Sequence, residues 1–162
     1  MSSISIRPAR IEDVEAMAVV RVTTWQHAYA GIVPDDYLAN LSPERNIQGW
    51  RQNLFITPDP DDVCYVAETD AHQIVGFLIG GRDRDADMLY TAEIFAIYIL
   101  PTYHHRGIGR QLCRAAVQAL RQKGFNSLII WALAENPYRH FYEKLGGTPV
   151  RQKQIEIGGK LL

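Results

Sequence analysis

The sequence predicts an α/β fold, one domain spanning residues 1–162 in which a mixed sheet of about six strands is packed with helices. Three observations carry this expectation. An apolar run from Ile94 to Leu100 ends in a turn-rich stretch, Pro101 to Leu112, and a helical pattern starts inside that stretch and runs to about Lys123. A buried strand therefore feeds a glycine turn, and the turn opens a helix. Residues 127–133 are continuously apolar, as in a strand covered on both faces with a parallel neighbour. The full order reads strand, helices, three strands, helix, strand, helix, strand.

The elements follow in order. Ile4-Ser5-Ile6-Arg7 alternates apolar and polar, as a half-buried strand does, and Pro8 ends it. A helix from about Ile11 to Tyr29 is indicated by Val14, Met17, Ala18, Arg21, Val22 and Trp25 at helical spacing, with Gly31 and Pro34 closing it. Asp35 to Leu41 reads as a short second helix. Ser42-Pro43-Glu44 starts a third, with Ser42 as cap, running to about Phe55 although Gly49 weakens it. After the turn-rich Pro58 to Asp62, the strands Val63 to Glu68 and Ile74 to Gly80 form a hairpin about Thr69 to His72. Arg82 to Asp87 is a charged, solvated loop. Tyr90 to Leu100 is the central strand. Gly124 stops the helix that follows. Asn136-Pro137 caps a short helix to Leu145, and Pro149 to Ile157 is a last strand.

Composition fits a compact enzyme. The 162 residues can bury a sizeable core, and 17 basic against 18 acidic residues nearly cancel, in short mixed clusters. That balance argues against nucleic acid or a membrane surface as the main partner. No apolar run is long enough to span a bilayer, and Met1 to Arg7 is neither a signal nor a transit peptide. Cys64 and Cys113 lie far apart without metal-ligand spacing, which suits a reduced cytoplasmic protein with two packing cysteines.

The glycine turn carries the chemistry. The first N–H groups of a helix have no partner inside it, and the positive end of the helix dipole points the same way. Gly107 and Gly109 remove the Cβ atoms that would hold a ligand off those groups, so the turn is an anion cradle suited to diphosphate. Three readings meet here. A dinucleotide turn wants a third glycine where Leu112 stands, and an acid on the next strand, which 128–133 does not offer. The second is the pyrophosphate turn of an acyl-CoA enzyme, with Arg106 and Arg110 adding positive charge. The third is an ordinary tight strand-to-helix turn.

The neighbouring residues separate these readings. Glu93-Ile94, Ile97 to Pro101 and Arg106-Gly107-Ile108-Gly109-Arg110-Gln111-Leu112 resemble motif A of the GNAT family of N-acetyltransferases, and Asn136 to Gly147 resembles its motif B. The resemblance covers essentially the whole chain, more weakly in the N-terminal third. It implies the GNAT fold, a mixed, mostly antiparallel sheet with helices on both faces and a splay between strands 4 and 5. The gap would take the pantetheine arm of acetyl-CoA, with backbone groups of Ile97, Tyr98 and Ile99 pairing with its amides.

The implied reaction is acetyl transfer from acetyl-CoA to an amine, with no metal. An amine with a pKa of about 10.4 is nearly all protonated at neutral pH, so a group must accept its proton. Glu93 stands at the offset from Gly107 where histone-acetylating members carry a general base; the plain alternative is a strand residue facing solvent or paired with an arginine. Tyr142 matches the motif B tyrosine that donates to the departing thiolate; the alternative is a core aromatic beside Phe141. Asn136 would cap the short helix and hydrogen-bond the pantetheine region. Position 104, usually Gln or Arg in motif A, is His here; His104 and His105 would donate to phosphate, the plain alternative being two surface histidines of a loop.

The C-terminus departs from the family pattern. Gly158-Gly159 gives a turn, but only Lys160-Leu161-Leu162 follows, so the final strand reads as truncated or supplied by a partner. An unpaired edge invites pairing, hence an expected homodimer through the C-terminal strand. Trp25, Tyr29 and the stretch Gly31 to Tyr37 resemble polyamine-acetylating members more weakly. Aromatic faces with Asp35 and Asp36 nearby would suit a cationic amine, while core packing of Trp25 and Tyr29 explains them equally well. The favoured acceptor is a small-molecule amine. A protein N-terminus or lysine, or a non-catalytic acetyl-CoA-binding module, are the alternatives.

Overall fold

The computed structural model describes residues 3–85 and 91–162. Residues 1–2, and residues 86–90 with the end of the charged loop and the expected Tyr90 strand start, lie outside the described residues. Five strands form the main sheet in spatial order β1-β2-β3-β4-β5. These are β1 (Ile4–Pro8), β2 (Val63–Thr69), β3 (Ile74–Arg82), β4 (Ala92–Ile99) and β5 (Leu128–Ile130). The first three pairings are antiparallel, and β4 with β5 is parallel. The middle strand is β3, buried at every residue but its last, so the motif A strand stands one place off centre.

Helices cover both faces. On one, α4 (Ile108–Gln122) lays Leu112, Cys113, Ala116 and Leu120 against Ala67, Val75, Leu78 and Ile94. Those helix positions recur at three- and four-residue intervals, while Arg110, Arg114 and Arg121 stand in solvent, as an amphipathic helix requires. On the other face, α1 (Val14–Ala28) packs Met17 and Val20 against Val66, Phe77 and Ile79. The expected start at Ile11 is a 3-10 turn, Ile11–Asp13, leading into α1. Short helices α2 (Asp35–Ala39) and α3 (Glu44–Arg51) follow, the latter ending in a π-helical turn, Gln52–Ile56. Ser42 does not cap α3; its hydroxyl is held by the Glu44 carboxylate instead.

The C-terminal third differs most from expectation. Helix α5 is five residues, His140–Lys144. Residues 149–155 form no strand, and the ladder is confined to β6 (Glu156–Ile157) and β7 (Lys160–Leu161). The last strand is thus present, two residues long. This hairpin is a separate sheet beside the α1–α2 corner, where Lys160 Nζ donates to the Ile32 carbonyl at 2.8 Å and Ile157 and Leu162 pack with Tyr29 and Leu38. The sixth strand expected in the main sheet lies in it, since residues 149–155 leave no ladder that would carry it to β5.

Candidate active site

A bulge opens the site. Along β3 and β4, Ile79 faces Ala96 but Gly80 faces Ile94, so Phe95 is an extra residue on β4. Bulges bend a strand and increase its local twist. The parallel ladder between β4 and β5 ends at the same level, its last pair being Ile94 and Ile130. Beyond it β4 continues to Ile99 along β3, while Trp131 and Ala132 turn away from it. The two strands therefore part and enclose a cleft of about 420 Å³. Its walls are β4 from Ile94 to Ile99, the end of β5 with Trp131, the α1 residues Thr24, Ala28 and Tyr29, and the segment from Asn136 to Leu145.

The glycine turn continues the cleft. Gln111 N–H bonds the Gly107 carbonyl at 3.1 Å, the first intrahelical bond of α4, so the N–H groups of Ile108, Gly109 and Arg110 have no intrahelical acceptor. Gly107 takes φ +75°, and a Cβ there meets nothing within 4 Å. The cradle is open, and it fits a diphosphate. At Gly109 the structure assigns a different reason from the one expected: an added Cβ would stand 2.8 Å from Phe141 Cζ. Gly109 is small so that α5 can pack on the start of α4, which brings Tyr142 to the cleft.

Three phenols converge here from three elements, Tyr29 on α1, Tyr98 on β4 and Tyr142 on α5. Burial pushes all three above the ordinary phenol value. The neighbouring phenols add to the rise at Tyr29 and Tyr142, while Arg21 pulls Tyr29 back and Trp25, followed by Arg21, does so at Tyr98. All three hydroxyls stay protonated through the neutral range.

The structure distributes the sequence-predicted residues unevenly. Ile97, Tyr98, Ile99, His104, His105, Gly107, Ile108, Gly109, Arg110, Asn136, Tyr29 and Tyr142 line the cleft, although the Ile108 side chain is in the core and only its backbone faces out. His104 commits Nε2 to the Ile99 carbonyl at 2.9 Å, so that imidazole and that carbonyl already hold each other. His105 is exposed, in a left-handed conformation at φ 61°. The Asn136 side chain accepts from Tyr138 N–H at 2.9 Å, capping the turn before α5.

Three predicted residues stand off the cleft wall. Arg106 lies over the Tyr103 ring at 4.9 Å. Trp25 sits behind Tyr29, edge to face at 4.8 Å. Glu93 is 1% exposed, and its carboxylate accepts from the Arg84 backbone N–H at 3.1 Å and from the Arg84 guanidinium. The strand position expected for a base thus holds the arginine-paired arrangement. Asp35 and Asp36 are exposed in the first turn of α2.

Sequence reasoning placed Trp131 only on a strand and read Tyr138 as a packing or rim residue; both line the cleft. Trp131 has its indole N–H buried and without a hydrogen-bond partner among the described residues, and Lys153 and Arg151 lie over its ring at 4.0 and 5.3 Å. Tyr138 stacks edge-on to His104 at 4.8 Å, and its hydroxyl reaches His27 Nε2 at 3.2 Å, joining the two walls. The bulge itself had a signal, the Gly80-Gly81 pair inside an apolar strand, which marks close backbone approach. Among the described residues no group of three His, Cys, Asp or Glu side chains is placed to hold a metal, and no helix is long and apolar enough to cross a membrane.

Known proteins are similar to this chain in sequence and in fold. The model of the acetyltransferase (GNAT) family matches residues 23–147. The uncharacterized N-acetyltransferase YuaI of Bacillus subtilis is 30% identical over 156 residues, 96% of this chain and 87% of that protein. The spermidine N(1)-acetyltransferase of Thermoplasma acidophilum is 25% identical over 146 residues, 89% and 88% of the two chains. The crystal structure of PaiA N-acetyltransferase from Thermoplasma acidophilum, in complex with coenzyme A, shares the fold with a TM-score of 0.71 at 24% identity, over 93% of this chain and 92% of that one.

Proposed function

The chain belongs to the acetyltransferase (GNAT) family, and from that premise we propose that it transfers the acetyl group of acetyl-CoA to the primary amine of a small molecule, by direct attack with both substrates bound. The observation that carries this reading is one continuous cleft, running from the bulge at Phe95 to the open amides at the start of α4. A pantetheine arm has the dimensions and polarity to lie along the unpaired edge of β4, and diphosphate suits the amides of residues 108–110 with Arg110 beside them. Acetyl-CoA enters as co-substrate. The β6–β7 hairpin against Ile32 and Tyr37 closes one side of the α1–α2 corner, which favours a small acceptor over a protein segment.

In this reading the neutral amine nitrogen attacks the thioester carbonyl, the C–S bond breaks, and the sulfur leaves as a thiolate. Tyr142 donates its hydroxyl hydrogen bond to that sulfur as charge develops. The ammonium formed on nitrogen loses its proton through water to Glu93, whose link to Arg84 opens in that step. Trp25 and Tyr29 shape the acceptor end. Thiol release from acetyl-CoA over a panel of primary amines tests the assignment, with Tyr142→Phe and Glu93→Gln alongside. Release that depends on an amine and yields the N-acetyl product is the expected result; CoA binding without turnover of any amine supports a non-catalytic binding module instead.

Two further readings accompany this one. The outer edge of β5 pairs with no strand among the described residues, and Val150, Ile155 and Leu161 in the C-terminal segment are exposed, so we place a homodimer contact on the C-terminal side. Sedimentation at micromolar concentration is expected to give twice the chain mass. Burial raises the thiols of Cys64 and Cys113 to about 12 and about 11, which keeps them unreactive and suits a cytoplasmic protein.

A further inference from the structure

Arg21 is a cation whose role the transfer chemistry leaves unexplained. It lies on α1 three, seven and eight residues before Thr24, Ala28 and Tyr29, the positions of that helix that line the cleft, so it shares their face. Its guanidinium carbon stands 4.6 Å over the Trp25 ring. Its Nη1 is buried and has no hydrogen-bond partner among the described residues. Its charge acts on the hydroxyls of both Tyr29 and Tyr98, two residues of the cleft wall, although Arg21 itself, stacked on Trp25, is set back from that wall.

A buried guanidinium nitrogen without an acceptor is costly, and the groups that relieve it best are carboxylate or phosphate oxygens. Among the described residues no acid is ion-paired with Arg21: Glu93 is taken by Arg84 and Asp85 by Lys153, while buried Asp83 accepts the Asp85 N–H through Oδ1 and leaves Oδ2 without a partner. Asp35 and Asp36 stand in solvent. An aromatic floor under a planar, always-charged fork holds the fork in place for an incoming anion. The same charge repels a polycation.

We propose that Arg21 anchors an anionic group of the acceptor, so that the preferred substrate is an amine carrying a carboxylate or phosphate and not a polyamine. This rests on the transferase reading above. The Arg21 guanidinium would turn from behind the cleft wall to meet the acid of the acceptor, while the acceptor's amine reaches toward β4 and the thioester.

Matched pairs test it. Glycine, β-alanine and 4-aminobutyrate are compared with methylamine, ethylamine and propylamine, phosphoethanolamine with ethanolamine, and spermidine is run beside them. The expected result is that the best acidic member exceeds its neutral partner in kcat/KM by about 10- to 100-fold, the range of one charge-assisted hydrogen bond. In Arg21→Gln that ratio collapses toward one, chiefly through KM, while the affinity for CoA and the Tm hold; Arg21→Lys recovers part of the ratio. The carboxylate and phosphate arms tell the two anions apart. Equal use of both members, preference for spermidine, or the same ratio in Arg21→Gln overturns the anchor and leaves the transferase reading standing. Calorimetric binding of the N-acetyl products separates the converse case: Arg21-dependent binding of the acidic products without any turnover supports the anchor and removes the transferase reading.

Discussion

At Tyr142 burial decides what kind of help the phenol can give. Its pKa lies above that of a thiol, about 8.5, so complete proton transfer to a thiolate is uphill and the hydroxyl acts by donating a hydrogen bond as the C–S bond lengthens. The donor form persists as pH rises past the ordinary phenol value of 10.0. Tyr142→Phe is expected to lower kcat by about 100-fold while CoA affinity changes little, measured by stopped thiol release and by calorimetry. Glu93 and Arg84 make an asymmetric pair, with side chains 2% and 62% exposed. Arg84→Ala leaves a buried carboxylate without its counter-charge, holding only the backbone N–H of residue 84, and is expected to cost about 3 kcal/mol, whereas Glu93→Gln leaves an arginine that reaches water and costs about 1 kcal/mol. Denaturant titration of the two variants checks the order. The sequence made Tyr142, Gly107 and Arg110 legible because their spacing is fixed by local turns. The partner of Glu93 was not legible, because a pairing across a bulge depends on where two strands meet.

Among the elements, β3 has most control over the cleft. A Cβ on Gly80 would stand 2.9 Å from the Glu93 carbonyl, so any side chain there pushes β4 off its bulge. Gly80→Val is expected to lower both Tm and CoA affinity, the second because the splay starts one residue beyond that contact; calorimetry on the purified variant reports both. Helix α4 and the β2–β3 hairpin were plain in the sequence, since a strong apolar stripe and a four-residue turn are local features. Residues 131–133 continue the apolar run of β5 yet leave the ladder, and 149–155 look like a strand yet form none. Apolar content alone does not distinguish a paired strand from a segment that lines a cleft or crosses an aromatic ring.

For the whole molecule, the arginine at the sheet's first edge sets the response to acid. Arg7 on β1 binds Asp13 ahead of α1 and Glu68 on β2, tying sheet to helix. Burial opposes ionisation of Asp13, but the Arg7 hydrogen bond and the Arg10 N–H outweigh it, and its pKa falls below 3.8. The Arg7 hydrogen bond likewise lowers Glu68 below 4.5. Carboxyls depressed in the folded chain contribute fully above their unfolded values and cease to as pH falls through the folded ones. The urea midpoint is therefore expected to hold above about pH 5 and drop below about pH 4, and Arg7→Leu to flatten that drop. Trp131, with a cationic side chain lying over its ring and its buried indole nitrogen without a hydrogen-bond partner among the described residues, has a further use. Of the chain's 3 tryptophans it is the one that lines the cleft, so its emission will shift as the cleft fills. The protein carries a built-in optical gauge of occupancy, from which an isotherm can be recorded without label or turnover.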